Sequence, residues 1–362
     1  MIRLFALSGA GYNVITAKDG SESIELVKEA VPDLIIMDLQ MPKMSGFDAI
    51  EEIRKQYNSA NLPIIVLSSE RSKKEWTKAL KVGANDFVPK PYDKTELFAR
   101  INTNLKVADL TNRLGIKTQE LFSKNELLEK EMKLAVKVQN TILPLSFQCQ
   151  GLEIESFYRP LHSLSGDFFD AFEEKQKLTL MIGDVTGQGI SAALIMFAAK
   201  STLHSFGKAD KSPTEIISLV NQLFYEMLKE SGFSLSLVFI VINTEINELL
   251  FISAGHNPVV LFGRSGLRSI ESTGPRLGLN LDATWAIEKR SFVPGDGIFL
   301  FTDGLIEATD GQENKFSIDR LLVELAKDIK PKKQISNAFN AVKHFCNDNF
   351  SDDITMLSIR RN

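Results

Sequence analysis

The sequence predicts a multidomain protein: a doubly wound α/β domain, a helical linker and an α+β four-layer sandwich. Three observations carry this. The first hundred residues alternate short apolar runs with stretches of helical spacing, the pattern of a parallel sheet wrapped by helices. From Asp93 to Thr141 there is no proline and one glycine, Gly115. From Leu152 onward, strand-like runs are interrupted by pairs of helical blocks, which suits two sheets each covered by helices.

In the first region, Tyr12–Thr16 reads as a short strand. Ser21–Val31 reads as a helix with Ile24, Val27 and Val31 on one face. Leu34–Met37, Ile64–Leu67 and Phe87–Pro89 are solidly apolar, as strands buried on both faces of a parallel sheet are. Lys94–Leu105 starts a helix. Asp38, Ser68 and Lys90 directly follow the three apolar runs. Doubly wound sheets bind ligands at the carboxyl ends of their strands. A carboxylate, a hydroxyl and an ammonium are therefore expected in one cleft.

In the linker, apolar residues recur every seven positions at Val107, Leu114, Leu121, Leu128 and Ala135. That is one coiled-coil column. The second column is poor, because Leu110 is followed by Lys117, Lys124 and Glu131. The expectation is a long helix that pairs with its twin in a homodimer and ends at Pro144.

In the third region, Leu178–Ile182, Pro258–Gly263, Gly297–Phe301 and Ile354–Ile359 read as strands, and Leu235–Ile242 with Glu248–Ser253 as a hairpin. Ser191–Leu203, Pro213–Lys229, Ile318–Asp328 and Gln334–Cys346 read as helices. Four acidic motifs sit at or near strand ends: Gly166-Asp167, Asp184-Val185-Thr186-Gly187, Thr302-Asp303-Gly304 and Asp352-Asp353-Ile354-Thr355. Carboxylates from separate strand ends repel one another unless a cation neutralises them. Hard oxygen ligands suit Mg²⁺ or Mn²⁺. The pattern points to metal-dependent phosphoryl-transfer chemistry.

Bulk properties narrow the classes. The 362 residues are 44% apolar with a net charge of −4, enough for sizeable cores and without the broad basic face that nucleic acid requires. Cys149 and Cys346 are the only cysteines, and they show no partner or zinc-ligand pattern, which favours a reducing compartment. The longest apolar runs, such as Leu237–Ile242, are too short to span a bilayer. Met1–Leu7 lacks the shape of a secretion signal. A cytoplasmic protein without a membrane partner is expected.

The stretches PDLIIMDLQMPKMSGFD, PIIVLSS and GANDFVPKP resemble a response-regulator receiver domain. The resemblance implies that Asp38 is the phosphoacceptor, Ser68 the hydroxyl that contacts the phosphoryl group, Lys90 its charge partner and Phe87 the aromatic that changes rotamer. It also implies a cognate histidine kinase. Receivers begin with a strand ending in two acidic residues that hold Mg²⁺. MIRLFALSGAGYNVITAKDG resembles only the end of the first helix and the second strand. The expectation is a shortened N-terminus lacking the strand between Tyr12–Thr16 and Leu34–Met37, and lacking the metal that phosphorylation at Asp38 needs.

SGDFFD, IGDVTGQGISAAL, AGHNP, GPRLGL, VPGDGIFLFTDGLIEA and SDDITML occur in order, preceded by AVKVQNTILP. Together they resemble the SpoIIE-type branch of the protein phosphatase 2C (PP2C) family. The resemblance implies a serine/threonine protein phosphatase with two Mn²⁺ or Mg²⁺ ions. Asp184 would bridge the ions, with the Val185 carbonyl as a neighbouring ligand. Asp303 and Asp352 would bind one ion each or share one. Asp167 matches the family's other acidic metal-site position, and Asp353 is the secondary metal ligand of its pair. Two cations roughly 3.5–4 Å apart activate a water and clamp phosphate oxygens for in-line attack. The family often has Gly where Ser165 stands, and Lys or His where Gln188 stands. His256 and Phe168-Phe169 are read as structural. The substrate implied is a phosphorylated anti-sigma-factor antagonist in a partner-switching pathway. The alternative is a non-catalytic response-regulator adaptor that binds a sigma factor or anti-sigma factor. The domain boundaries expected are 1–105 for the receiver-like part, 106–143 for the linker and 144–362 for the phosphatase part.

Overall fold

The computed structural model describes residues 11–69, 73–143, 147, 149–174, 177–209, 211–264 and 266–362. The chain forms two compact units, Met1–Leu127 and Leu128–Asn362.

The first unit runs α1 (Gly20–Glu29), β1 (Ile35–Asp38), α2 (Gly46–Arg54), β2 (Ile64–Ser68), α3 (Lys73–Lys81), β3 (Asp86–Pro89) and the first part of α4 (Lys94–Ile142). The sheet is parallel in the order β1-β2-β3. Central β2 is buried at every position, which accounts for its unbroken apolar sequence. Asp19 and Ser45 cap α1 and α2, each side chain accepting a backbone amide of the first turn, and so satisfy donors that no helical carbonyl reaches.

Two expectations fail here. Tyr12–Thr16 is not a strand. A strand exists only through a pairing partner, and among the described residues this segment has none. Side chains hold it instead: the Tyr12 hydroxyl donates to Asn102 Oδ1 at 2.7 Å and its ring stacks on Phe98. Helix α1 ends at Glu29, so Val31 lies beyond it and is exposed. The run from Asp93 is one 49-residue helix. Val107, Leu114, Leu121 and Leu128 are all exposed on it. Pro144 lies outside the described residues.

The second unit adds β4 (Leu152–Arg159), β5 (Phe168–Glu174), β6 (Lys177–Val185), α5 (Gly189–Gly207), α6 (Pro213–Leu228), β7 (Leu235–Asn243), β8 (Glu248–Ala254), β9 (Val259–Gly263), β10 (Gly266–Ile270), β11 (Glu288–Ser291), β12 (Gly297–Phe301), α7 (Asp303–Ile306), α8 (Ser317–Leu325), α9 (Pro331–Phe345) and β13 (Ile354–Arg361). Two five-stranded sheets form, in the orders β11-β8-β7-β6-β5 and β10-β9-β12-β13-β4. Every pairing in them is antiparallel.

One core holds Leu180, Ile182, Val238 and Ile240 of the first sheet together with Ile298, Leu300, Leu357 and Ile359 of the second. Met196, Leu203, Ile217 and Phe224 of α5 and α6 belong to it as well. A separate cluster packs Val260, Phe299 and Met356 against Leu321, Ala338 and Val342 of α8 and α9. Alternate strand residues thus feed two interfaces. The result is the expected four-layer sandwich. Each large apolar side chain buried this way contributes about 1.5–3 kcal/mol.

Candidate active site

The acidic motifs fall at strand ends of both sheets. Asp167 immediately precedes β5, and Asp184 is the penultimate residue of β6. Asp303 opens α7 just after β12 and Thr302. Asp352 and Asp353 precede β13. Asp167 is 2% exposed. Its Oδ2 accepts Thr302 Oγ1 at 2.8 Å and Thr355 Oγ1 at 2.6 Å. Those two threonines also bind each other: Thr302 N donates to Thr355 O at 3.0 Å and Thr355 N to Thr302 Oγ1 at 2.9 Å. Asp167 is therefore tied to the opposite sheet at the place where Asp303 and Asp353 emerge.

Close backbone approaches define the rest. A Cβ on Gly166 would meet the Val185 carbonyl oxygen at 2.7 Å, and one on Gly304 would meet the Asp353 carbonyl oxygen at 2.0 Å. Glycine at both places lets the four motifs converge. Asp353 Oδ1 accepts the Leu161 amide at 2.7 Å, and Asp352 Oδ1 accepts the Asp353 amide at 2.8 Å.

The electrostatics record the crowding. Burial, and then the charge of Asp303, push the Asp184 carboxyl up to about 7. Burial and the Asp184 charge push Asp167 well above the usual carboxylate range. Asp303 and Asp352 are also raised, chiefly by burial. Arg276 opposes this: its Nη2 stands 3.4 Å from Asp184 Oδ2, and it lowers both Asp184 and Asp303. Among the described residues, no three His, Cys, Asp or Glu side chains stand together as an ion-holding group. The carboxylates point instead to threonine hydroxyls, to Arg276 and to backbone amides. The donor set nevertheless fits divalent ions. Carboxylate oxygens are hard donors of the kind Mg²⁺ and Mn²⁺ take, and burial raises Asp167, Asp184, Asp303 and Asp352 alike.

In the first unit, β1, β2 and β3 end side by side and bring Asp38, Ser68 and Lys90 to one edge. Lys90 Nζ pairs with Asp38 Oδ2. Ser68 Oγ donates to Glu75 Oε2 at 3.0 Å, and the Lys90 amide donates to the Ser68 carbonyl at 2.7 Å. Phe87 stacks on Trp76 with ring centroids 4.4 Å apart.

One residue of the second unit takes a place the sequence did not reveal. Arg276 lies within GPRLGL, where only its charge marks it. His256 is buried, with Nδ1 2.8 Å from Ser236 Oγ and Nε2 3.1 Å from the Phe301 carbonyl. Those contacts join the two sheets, in keeping with a structural reading. Phe168 and Phe169 are core residues.

A profile described as stage II sporulation protein E (SpoIIE) matches residues 174–362, more than half of the chain. The chain belongs to the SpoIIE family. This match contains Asp184, Asp303, Asp352 and Asp353, while Asp167 lies just before it. A response regulator receiver domain profile matches residues 2–102, which contain Asp38, Ser68, Phe87 and Lys90. The chain therefore joins a segment that matches a receiver domain to a SpoIIE-family domain.

The chain is 27% identical over 263 residues to protein IcfG of Synechocystis sp., covering 64% of this chain and 42% of IcfG. It is 25% identical over 250 residues to phosphoserine phosphatase RsbU of Bacillus subtilis, covering 67% of this chain and 73% of RsbU. The chain thus spans less than half the length of IcfG. The SiaA-PP2C domain of Pseudomonas aeruginosa shares the fold, with a TM-score of 0.59 at 19% identity over 66% of this chain and 99% of that one. No helix of the described residues is long and apolar enough to cross a membrane.

Proposed function

We propose that this chain hydrolyses phosphoserine or phosphothreonine in a partner protein, with two Mn²⁺ or Mg²⁺ ions held by Asp184, the Val185 carbonyl, Asp303 and Asp352. Asp167 and Asp353 add their carboxylates to this metal-ligating set. The observation that carries this is the convergence of Asp167 with the Thr302 and Thr355 strands of the opposite sheet. When bound, the ions supply Lewis acidity and an activated water. Thr302 and Thr355 fix the Asp167 carboxylate. Gly304 brings the Asp303 turn against Asp353. Arg276, beside Asp184, offers a guanidinium to anionic phosphate oxygens. Catalysis is then chiefly positioning and charge neutralisation.

The substrate class we assign is a phosphorylated anti-sigma-factor antagonist in a partner-switching pathway, acted on in the cytoplasm. Support comes from the likeness to RsbU, and this favours the enzyme over a non-catalytic adaptor. In the first unit, Asp38, Ser68 and Lys90 form the phosphoacceptor cleft and Phe87 its switch aromatic, with a histidine kinase as partner. The exposed column on α4 pairs two copies. The extents we assign remain 1–105, 106–143 and 144–362. The deciding experiment is Mn²⁺-dependent hydrolysis of p-nitrophenyl phosphate and of a phosphoserine protein by the full chain. Activity that survives Asp184→Ala overturns the assignment.

A further inference from the structure

We propose that Gln139, in the last turn of α4, is a positioning residue for Asp167 and thereby sets the affinity of the acidic cluster for its cations. The inference rests on the phosphatase reading and deepens it. Gln139 is 5% exposed. Both halves of its amide bind one residue: Nε2 donates to the Ser165 carbonyl at 2.8 Å, and Oε1 accepts the Ser165 amide at 3.2 Å. A side chain here takes the place of a neighbouring strand. It satisfies the backbone of a segment that no ladder reaches, because β5 begins only at Phe168.

The relay continues without a gap. Ser165 is fully buried, and its Oγ accepts the Asp167 amide at 3.0 Å. The Asp167 carboxylate then receives Thr302 and Thr355. Gln139 fixes Ser165, Ser165 fixes the Asp167 backbone, and the threonines fix its carboxylate. Burying a primary amide is costly unless both its donor and its acceptor are matched. Both are matched here, on the one residue that leads into the acidic motif. Packing alone would be served by an apolar side chain, as at nearby Leu143, which is 4% exposed. The amide adds direction. Removing it frees the Ser165–Asp167 segment to drift, and a carboxylate displaced by a fraction of an ångström coordinates poorly.

The test uses the full chain and Mn²⁺ alone as ligand. Gln139→Met keeps length and removes both hydrogen bonds, while Ser165→Ala removes one hydroxyl and keeps the clamp. We expect the Mn²⁺ dissociation constant, read by isothermal titration calorimetry, to rise about 10- to 100-fold in Gln139→Met. A smaller rise is expected in Ser165→Ala. Saturating Mn²⁺ should restore kcat, and KM for a phosphoserine protein should stay unchanged. A purely structural role would not be rescued by metal. If Gln139→Met fails to fold, Ser165→Ala carries the test. Wild-type affinity in the folded variants overturns this inference alone. A wild-type chain that takes up no Mn²⁺ overturns both this inference and the phosphatase reading.

Discussion

The Arg276 guanidinium stands 3.4 Å from the Asp184 carboxylate and places a fixed positive charge beside an acidic cluster. It lowers Asp184 and Asp303 and also disfavours protonation of buried His256. Like charges repel, so this cation competes with any metal ion that approaches Asp184. Arg276→Ala should bind Mn²⁺ several-fold more tightly and melt lower without metal. Calorimetric titration and melting curves with and without Mn²⁺ check both. An unchanged dissociation constant counts against the competition.

Asp184 is central to the proposed hydrolysis. Asp184→Asn keeps its shape and removes its charge, and should lower kcat at saturating Mn²⁺ by at least about 100-fold. Stopped assays with p-nitrophenyl phosphate measure it. The fold should persist, because Asp184 lies at a strand end and outside the hydrophobic cores.

His256 gives stability a pH dependence. Burial, and then Arg276, lower it from 6.5 to about 3 in the folded state. Between those values the unfolded chain binds the extra proton and the folded chain does not. Its contribution is therefore complete above pH 6.5 and is lost as pH falls toward 3. Urea midpoints from pH 7 to 4.5 should fall more steeply for the natural chain than for His256→Gln. The comparison cancels the carboxylates, whose raised values act in the opposite sense. Parallel slopes would refute the assignment.

These contrasts locate what the sequence could convey. Asp184, Asp303 and Asp352 were legible because each bounds an apolar run, and such boundaries are local. β10 and β11 were not, because edge strands such as Glu288–Ser291 carry charged residues and no apolar alternation. β4 hid for a related reason: Glu153 and Glu155 interrupt its apolar residues, and seven of its eight positions are only half-buried. Tyr12–Thr16 has strand-like composition, but pairing is decided by neighbours distant in sequence. Arg276 and Gln139 sit in no periodic pattern, and only their three-dimensional partners disclose what they touch.

Asp170 binds Lys200 Nζ at 2.8 Å and His204 Nδ1 at 2.7 Å, with Asp170 and Lys200 both 5% exposed. This ties β5 to α5. Asp170→Ala would strand a buried ammonium and should cost about 3–5 kcal/mol. Adding Lys200→Met should recover most of that loss. Urea denaturation of both variants measures it, and equal instability in the double variant would contradict the ion-pair account.

Leu114 and Leu121 are 68% and 59% exposed on α4. If two copies pair along this column, Leu114→Glu with Leu121→Glu should halve the mass measured by light scattering. A natural chain that is monomeric at high micromolar concentration would end the proposal.

Thr355 lies in one sheet and Thr302 directly follows a strand of it, and the Asp167 they grip introduces the other. Neither sheet by itself can assemble a working constellation. Any sliding of one layer across the other would dismantle catalysis well before the molecule unravels. On the proposed hydrolysis, turnover should therefore vanish at milder heat or denaturant than bulk secondary structure does, so that rate gauges how well the two sheets are registered.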